Sequence, residues 1–183
     1  MHDLNLDIER ILLTKEQIAE KVRELGRKIT KDYQGKNLLL VSVLKGSVVF
    51  IADIMREINL PYVIDLMAVS SYGDQTKSSG VVKINLDLKK DVEGKDILII
   101  EDIIDSGLTL SYIRELLLGR GPRSLEICSI FNKPDCNKID LCPKYLGFDL
   151  PAEFVVGYGL DYAERYRGLP YLGVLKREVY EKA

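Results

Sequence analysis

Residues 97–110, reading ILIIEDIIDSGLTL, set acids and small hydroxyl side chains directly after an aliphatic run. The run predicts a buried strand ending at Glu101 and Asp102, then a turn through Asp105, Ser106, Gly107, Leu108 and Thr109, then a helix whose apolar residues begin at Leu110. Ligands of open parallel sheets bind beyond the carboxyl ends of strands, and the free N–H groups of a helix N-terminus attract phosphate. One short segment therefore offers a phosphate cradle beside two carboxylates. That suits a molecule carrying a phosphate and vicinal hydroxyls, such as a ribose 5-phosphate. Neighbouring residues of a regular strand face opposite ways, so Glu101 and Asp102 can serve one ligand only if the strand end is distorted or a water or metal bridges them. Leu44-Lys45-Gly46-Ser47, at the end of an earlier apolar run, is a second ligand-facing loop; Gly46 frees backbone amides and Ser47 begins a helix, so the loop can hold an anion.

Several other chemistries are excluded. Walker A and the dinucleotide fingerprint are both missing, and Gly157 and Gly159 form a G-x-G with Tyr162 where the third glycine would stand. Cys128, Cys136 and Cys142 include no C-x-x-C, and the only histidine is His2, so neither a zinc site nor a disulfide framework is expected. Acid–base work must fall to carboxylates, lysines or tyrosines. A net charge of −2 without a long basic run leaves no electrostatic footprint for nucleic acid. The longest apolar stretch, 38–52, is broken by Lys45 and is too short for a membrane span. The opening MHDLNLDIER lacks the pattern of a signal peptide, so the expected location is cytoplasmic.

The elements that must position these residues are legible. Thr14-Lys15-Glu16-Gln17 has the form of a capping box, and Ile18, Val22, Leu25 and Ile29 follow at helical spacing, which predicts a helix over 15–32. Residues 38–44 and 124–131 read as strands covered on both faces, and 47–58 as a helix. The runs 62–69 and 81–88 flank SSYGDQTKSSG as a hairpin-like arm. Leu110, Ile113, Leu116 and Leu117 mark a helix stopped by Gly119, Gly121 and Pro122, and short strands are expected at 154–158 and 171–175. The alternation predicts an α/β fold with a parallel sheet flanked by helices, in one domain spanning 1–183.

Residues 97–110 resemble the phosphoribosyl pyrophosphate (PRPP) motif of the type I phosphoribosyltransferases, and LKGS, SSYG, NKP and EFVVGYGLDYAERYRGLPYLGVL resemble further motifs of the hypoxanthine-guanine branch, in that family's order across nearly the whole chain. The resemblance implies a flexible arm and lid over about 62–88 and a base-binding hood over about 150–183 with part of the N-terminus. It implies transfer of phosphoribose from PRPP to N9 of a 6-oxopurine, with Asp105 as general base, Glu101 and Asp102 near the ribose hydroxyls, and Asp105, Ser106, Gly107, Leu108 and Thr109 around the 5-phosphate. Leu44, Lys45, Gly46, Ser71, Tyr72 and Arg167 would face pyrophosphate, with the Leu44–Lys45 peptide often cis. Lys133 would donate to the purine O6, Phe154 would stack on the ring, and Val155 would meet its edge through the backbone. Magnesium (Mg2+) would lie near Glu101, Asp102 and Asp161, and the assembly would be a homodimer or homotetramer. Asn132 stands where many bacterial relatives carry aspartate. The alternatives are a PRPP-binding regulator of the same fold without turnover, and a sibling transferase acting on another base.

Overall fold

The computed structural model describes residues 3–71 and 82–181. Six strands and three helices build the frame that holds the site. Strand β2 (Leu38–Leu44) lies between β3 (Tyr62–Ser71) and β5 (Asp96–Ile104), and β5 is followed by β6 (Ser124–Asn132) and β7 (Tyr145–Asp149), all parallel. Strand β4 (Val82–Leu86) closes one edge antiparallel to β3, giving a six-stranded sheet in the order β4-β3-β2-β5-β6-β7. The expected arm is therefore present at its base, while its tip, with Tyr72 and Gly73, lies outside the described residues.

Alternate residues of the two central strands enter opposite layers, as the two-residue period of a strand requires. Leu38, Leu40, Leu98 and Ile100 pack under α1 (Lys15–Asp32) and α2 (Val48–Glu57), against Ile18, Val22, Leu25, Phe50 and Ile54. Leu39, Val41, Ile97 and Ile99 pack on the other face against Leu110, Ile113 and Leu117 of α3 (Leu108–Leu118). Each fully buried aliphatic side chain of this kind stabilises the fold by about 1.5–3 kcal/mol. Helix α1 starts where expected: the Thr14 side chain accepts from the Gln17 N–H and the Gln17 side chain accepts from the Thr14 N–H.

A second, three-stranded antiparallel sheet, β1-β9-β8, joins β1 (Ile8–Leu13) to β9 (Leu172–Leu175) and β8 (Val155–Val156). The two expected C-terminal strands are thus found in shortened form. Strands β1 and β7 went unread in the sequence: both are short edge strands, β1 has its partner β9 far along the chain, and β7 is only five residues long with Gly147 at its centre. The last element is α4 (Arg177–Tyr180). Among the described residues no helix is long and apolar enough to cross a membrane.

Candidate active site

The PRPP-like segment departs from its expected outline in two ways. Strand β5 does not end at its acids, because Ile103 and Ile104 keep pairing with Phe131 and Asn132 of β6, so Glu101 and Asp102 lie inside the strand. The turn is correspondingly short. Gly107, at φ +78°, is the N-cap of α3, so Leu108 and Thr109 belong to the first helical turn. Gly107 has no side chain to cap the helix, and beyond a long 3.4 Å bond from Leu108 N–H to Ser106 Oγ the first-turn amides are open to an anion. The left-handed φ favours glycine, and a Cβ there would meet Leu141 Cδ1 at 3.1 Å.

The strand keeps its register through the acidic pair, and Glu101 and Asp102 both line one cavity of about 250 Å3 with Ser106, Gly107 and Thr109. The expected distortion is therefore unnecessary. Burial, then the Asp102 charge, raises Glu101 well above the carboxylate range, and its Oε2 is sealed without a partner. Burial also lifts Asp102 to about 6, against the opposing pull of backbone N–H groups and the Arg167 charge.

These shifts fix a pH dependence for the ligand-free protein. Carboxylates in an unfolded chain titrate near 4, so the folded pair gains stability from protonation that is fully present below that pH and is lost as pH rises through about 6 and beyond. The salt-bridged carboxylates act lower: Glu24, held at about 2 by Lys21 and Lys28, is ionised throughout the window above pH 5. The unfolding midpoint is expected to be higher at pH 5 than at pH 7.5, and Asp102→Asn should narrow the difference. Thermal scans across that range check it; a midpoint that rises with pH in the parent protein contradicts it.

The Leu44–Lys45 peptide is cis, as the resemblance implied. Gly46 sits so close to the carboxylate that a Cβ would lie 1.6 Å from Asp102 Oδ2, and on its other side a Cβ at Gly159 would lie 2.1 Å from the Gly46 carbonyl oxygen. Arg167 holds this stack, with Nη1 donating to the Gly159 carbonyl at 2.8 Å and Nη2 pairing with Asp161 at 2.8 Å. Lys45 pairs with Glu164 at 3.0 Å, and Glu164 N–H donates to Asp161 at 2.9 Å. Gly159 and Glu164 were not read as site residues. The signal for Gly159 was the G-x-G that fails the dinucleotide pattern; its φ of +100° and the backbone approach explain why glycine stands there.

A second cavity, about 340 Å3, shares Gly46, Asp102, Ile103 and Asp105 with the first and adds Lys133, Phe154, Val155, Asp161 and Arg167. Lys133 directly follows β6, and its segment is stitched to the PRPP-like turn: Lys133 N–H donates to Ile104 O at 2.9 Å and Lys138 N–H to Ser106 O at 3.0 Å. With its amide turned so that the nitrogen faces them, the Asn137 side chain donates to the Asp105 and Lys133 carbonyls at 2.6 and 3.1 Å. Cys136 is raised by burial and next by the negative Asp105 beside it. Asn132 donates to Asp149 at 2.7 Å, a contact an aspartate could not make without a proton. Ser71 ends β3, but its side chain and Tyr72 lie outside the described residues. A larger cavity of about 580 Å3 between α1, α2 and residues 158–170 touches this region only through Arg167 and lacks its acidic strand end.

Parallel strands, a helix N-terminus with open first-turn amides and two carboxylates near the carboxyl end of β5 suit a transferase that handles a phosphate-bearing substrate. The chain belongs to the phosphoribosyltransferase family: the profile of the phosphoribosyl transferase domain matches residues 10–163. It is 54% identical over 175 residues to the hypoxanthine-guanine phosphoribosyltransferase of Bacillus subtilis, covering 96% of this chain and 97% of that one. It is 52% identical to the enzyme of the same name from Dictyostelium discoideum, covering 94% and 98%. The crystal structure of a hypoxanthine phosphoribosyltransferase from Staphylococcus aureus matches with a TM-score of 0.94 at 51% identity, covering 97% and 96%.

Proposed function

We propose that the protein is a purine salvage enzyme that transfers the 5-phosphoribosyl group of PRPP to N9 of hypoxanthine or guanine, releasing pyrophosphate and forming IMP or GMP. The observation that carries this reading is the pair of contiguous cavities, one with an anion cradle and the other with a donor and an aromatic ring, sharing Asp102 and Asp105 on their common wall. Group transfer needs its two substrates held against one another in this way.

In this reading Ser106, Gly107, Leu108 and Thr109 bind the 5-phosphate, Glu101 and Asp102 orient the ribose hydroxyls, and Leu44, Lys45 and Gly46 receive pyrophosphate with Arg167 behind them. Ser71 and Tyr72 belong to the same proposal as a cover that excludes water from a transition state with oxocarbenium character. Phe154 carries the purine, the Val155 backbone meets its edge, and Asp105 accepts or shares the N7 proton as N9 attacks C1. Magnesium would neutralise the leaving pyrophosphate. Among the described residues no three metal-binding side chains form a cage, but a sealed, unpartnered Glu101 oxygen beside Asp102 fits an ion that arrives with substrate phosphates and keeps most of its waters. Glu101 and Asp102 would hold it from the strand and Asp161 from the hood. A homodimer or homotetramer in the cytoplasm completes the proposal, supported by the likeness to the named enzymes.

Ultraviolet detection of IMP from hypoxanthine and PRPP tests the activity, with adenine, orotate and uracil as competitors. PRPP binding without turnover would establish the regulator instead. For base choice, Lys133→Ala removes a charged donor to O6, worth about 1.5–3 kcal/mol. Its KM for hypoxanthine and guanine is therefore expected to rise about 10–100-fold while KM for PRPP changes far less. Unchanged base affinity would remove Lys133 from recognition.

A further inference from the structure

The Phe154 ring is a partition between two spaces. On one side lies the cavity with Lys133 and Val155; on the other is a groove of about 190 Å3 lined by Glu9, Arg10, Glu153, Arg177 and Tyr180, and Phe154 is the single residue lining both. In the rear groove the Tyr180 ring stacks on Phe154, with centroids 4.8 Å apart and planes 21° from parallel. Tyr162 meets Phe154 edge-on at 5.6 Å and 89°. Phe154 nonetheless stays 39% exposed, so a ring surface remains for a ligand.

Tyr180 is held in place by the chain ends. Lys176, just before α4, donates its N–H to Asp7 O at 3.0 Å and its Nζ to Leu6 O at 2.6 Å. Val179 and Tyr180 pack on the buried cluster of Val156, Tyr166 and Leu175.

We propose that Tyr180 is a positioning residue for the purine: it stacks behind Phe154, so that the base completes a three-ring stack and the C-terminal segment sets base affinity. This rests on the reading of Phe154 as the base platform. An unsupported, half-exposed phenyl ring loses rotamer freedom when a ligand lands on it, whereas a ring already stacked from behind has lost that freedom on folding.

Steady-state kinetics of the full-length enzyme with Tyr180→Ala, Tyr180→Leu, Tyr180→Phe and Phe154→Ala test it. Tyr180→Ala and Tyr180→Leu are expected to raise KM for hypoxanthine about 3–10-fold, with kcat and KM for PRPP within about twofold of the parent, and Tyr180→Phe to restore the parent value. Leucine preserves apolar packing without a ring, so parent-like KM for hypoxanthine in Tyr180→Leu overturns the proposal even if the alanine variant fails to fold. Equal losses for both substrates overturn it too, because they mark a general structural role. If Phe154→Ala raises KM for hypoxanthine and Tyr180→Leu does not, only Tyr180 falls; if Phe154→Ala leaves it unchanged, the platform reading itself fails.

Discussion

Asp105→Asn is expected to slow the chemical step about 10²–10⁴-fold, the usual contribution of a positioned general base, with PRPP binding nearly unchanged. Asp105 is exposed on the wall shared by the two cavities, next to Cys136 and on the turn stitched to Lys133. The substitution keeps shape and removes charge. Asparagine also suits the turn, so a role confined to local structure would leave the variant close to fully active. Single-turnover rates with hypoxanthine separate the two. A near-parent rate would remove Asp105 from the proposed mechanism and leave orientation by Glu101, Asp102 and magnesium as the main source of rate.

Gly46→Ala is expected to abolish turnover and to weaken pyrophosphate and PRPP binding by at least about 100-fold, while the fold loses only the 1–3 kcal/mol typical of local overpacking. The added methyl would have to share space with Asp102 Oδ2, and its loop is pressed from the other side by Gly159. Asp102 has little room to rotate, being 8% exposed between the two cavities. Pairing Gly46→Ala with Asp102→Ala removes the clash but also the carboxylate. Recovery of pyrophosphate binding by calorimetry without recovery of turnover is the expected pattern. Parent-like activity in Gly46→Ala alone would show that the loop does not receive the leaving group in this conformation.

The elements with strong local signals were readable from the chain itself. The capping box at Thr14 and the apolar spacing from Ile18 to Ile29 specify α1 through contacts three and four residues apart, and the strands β2 and β6 announce themselves as predominantly apolar runs of strand length. The types and order of Glu101, Asp102, Asp105, Lys133 and Phe154 were likewise legible, because strand ends in a parallel sheet are where ligand-facing residues must lie. What depended on long-range pairing was not legible. Strand β1 exists because β9, more than 150 residues later, offers it a partner, and β5 continues past its acids because β6 keeps bonding to it. Close approaches were equally hidden: the wedge of Gly46 between Asp102 and Gly159, the sealed carboxylate oxygen of Glu101 and the ring of Tyr180 behind Phe154 join segments tens of residues apart. A sequence specifies which groups are available at each strand end and helix start through local propensity; distances between such groups, and the raised proton affinity of acids that are taken out of water, arise only once packing brings them together.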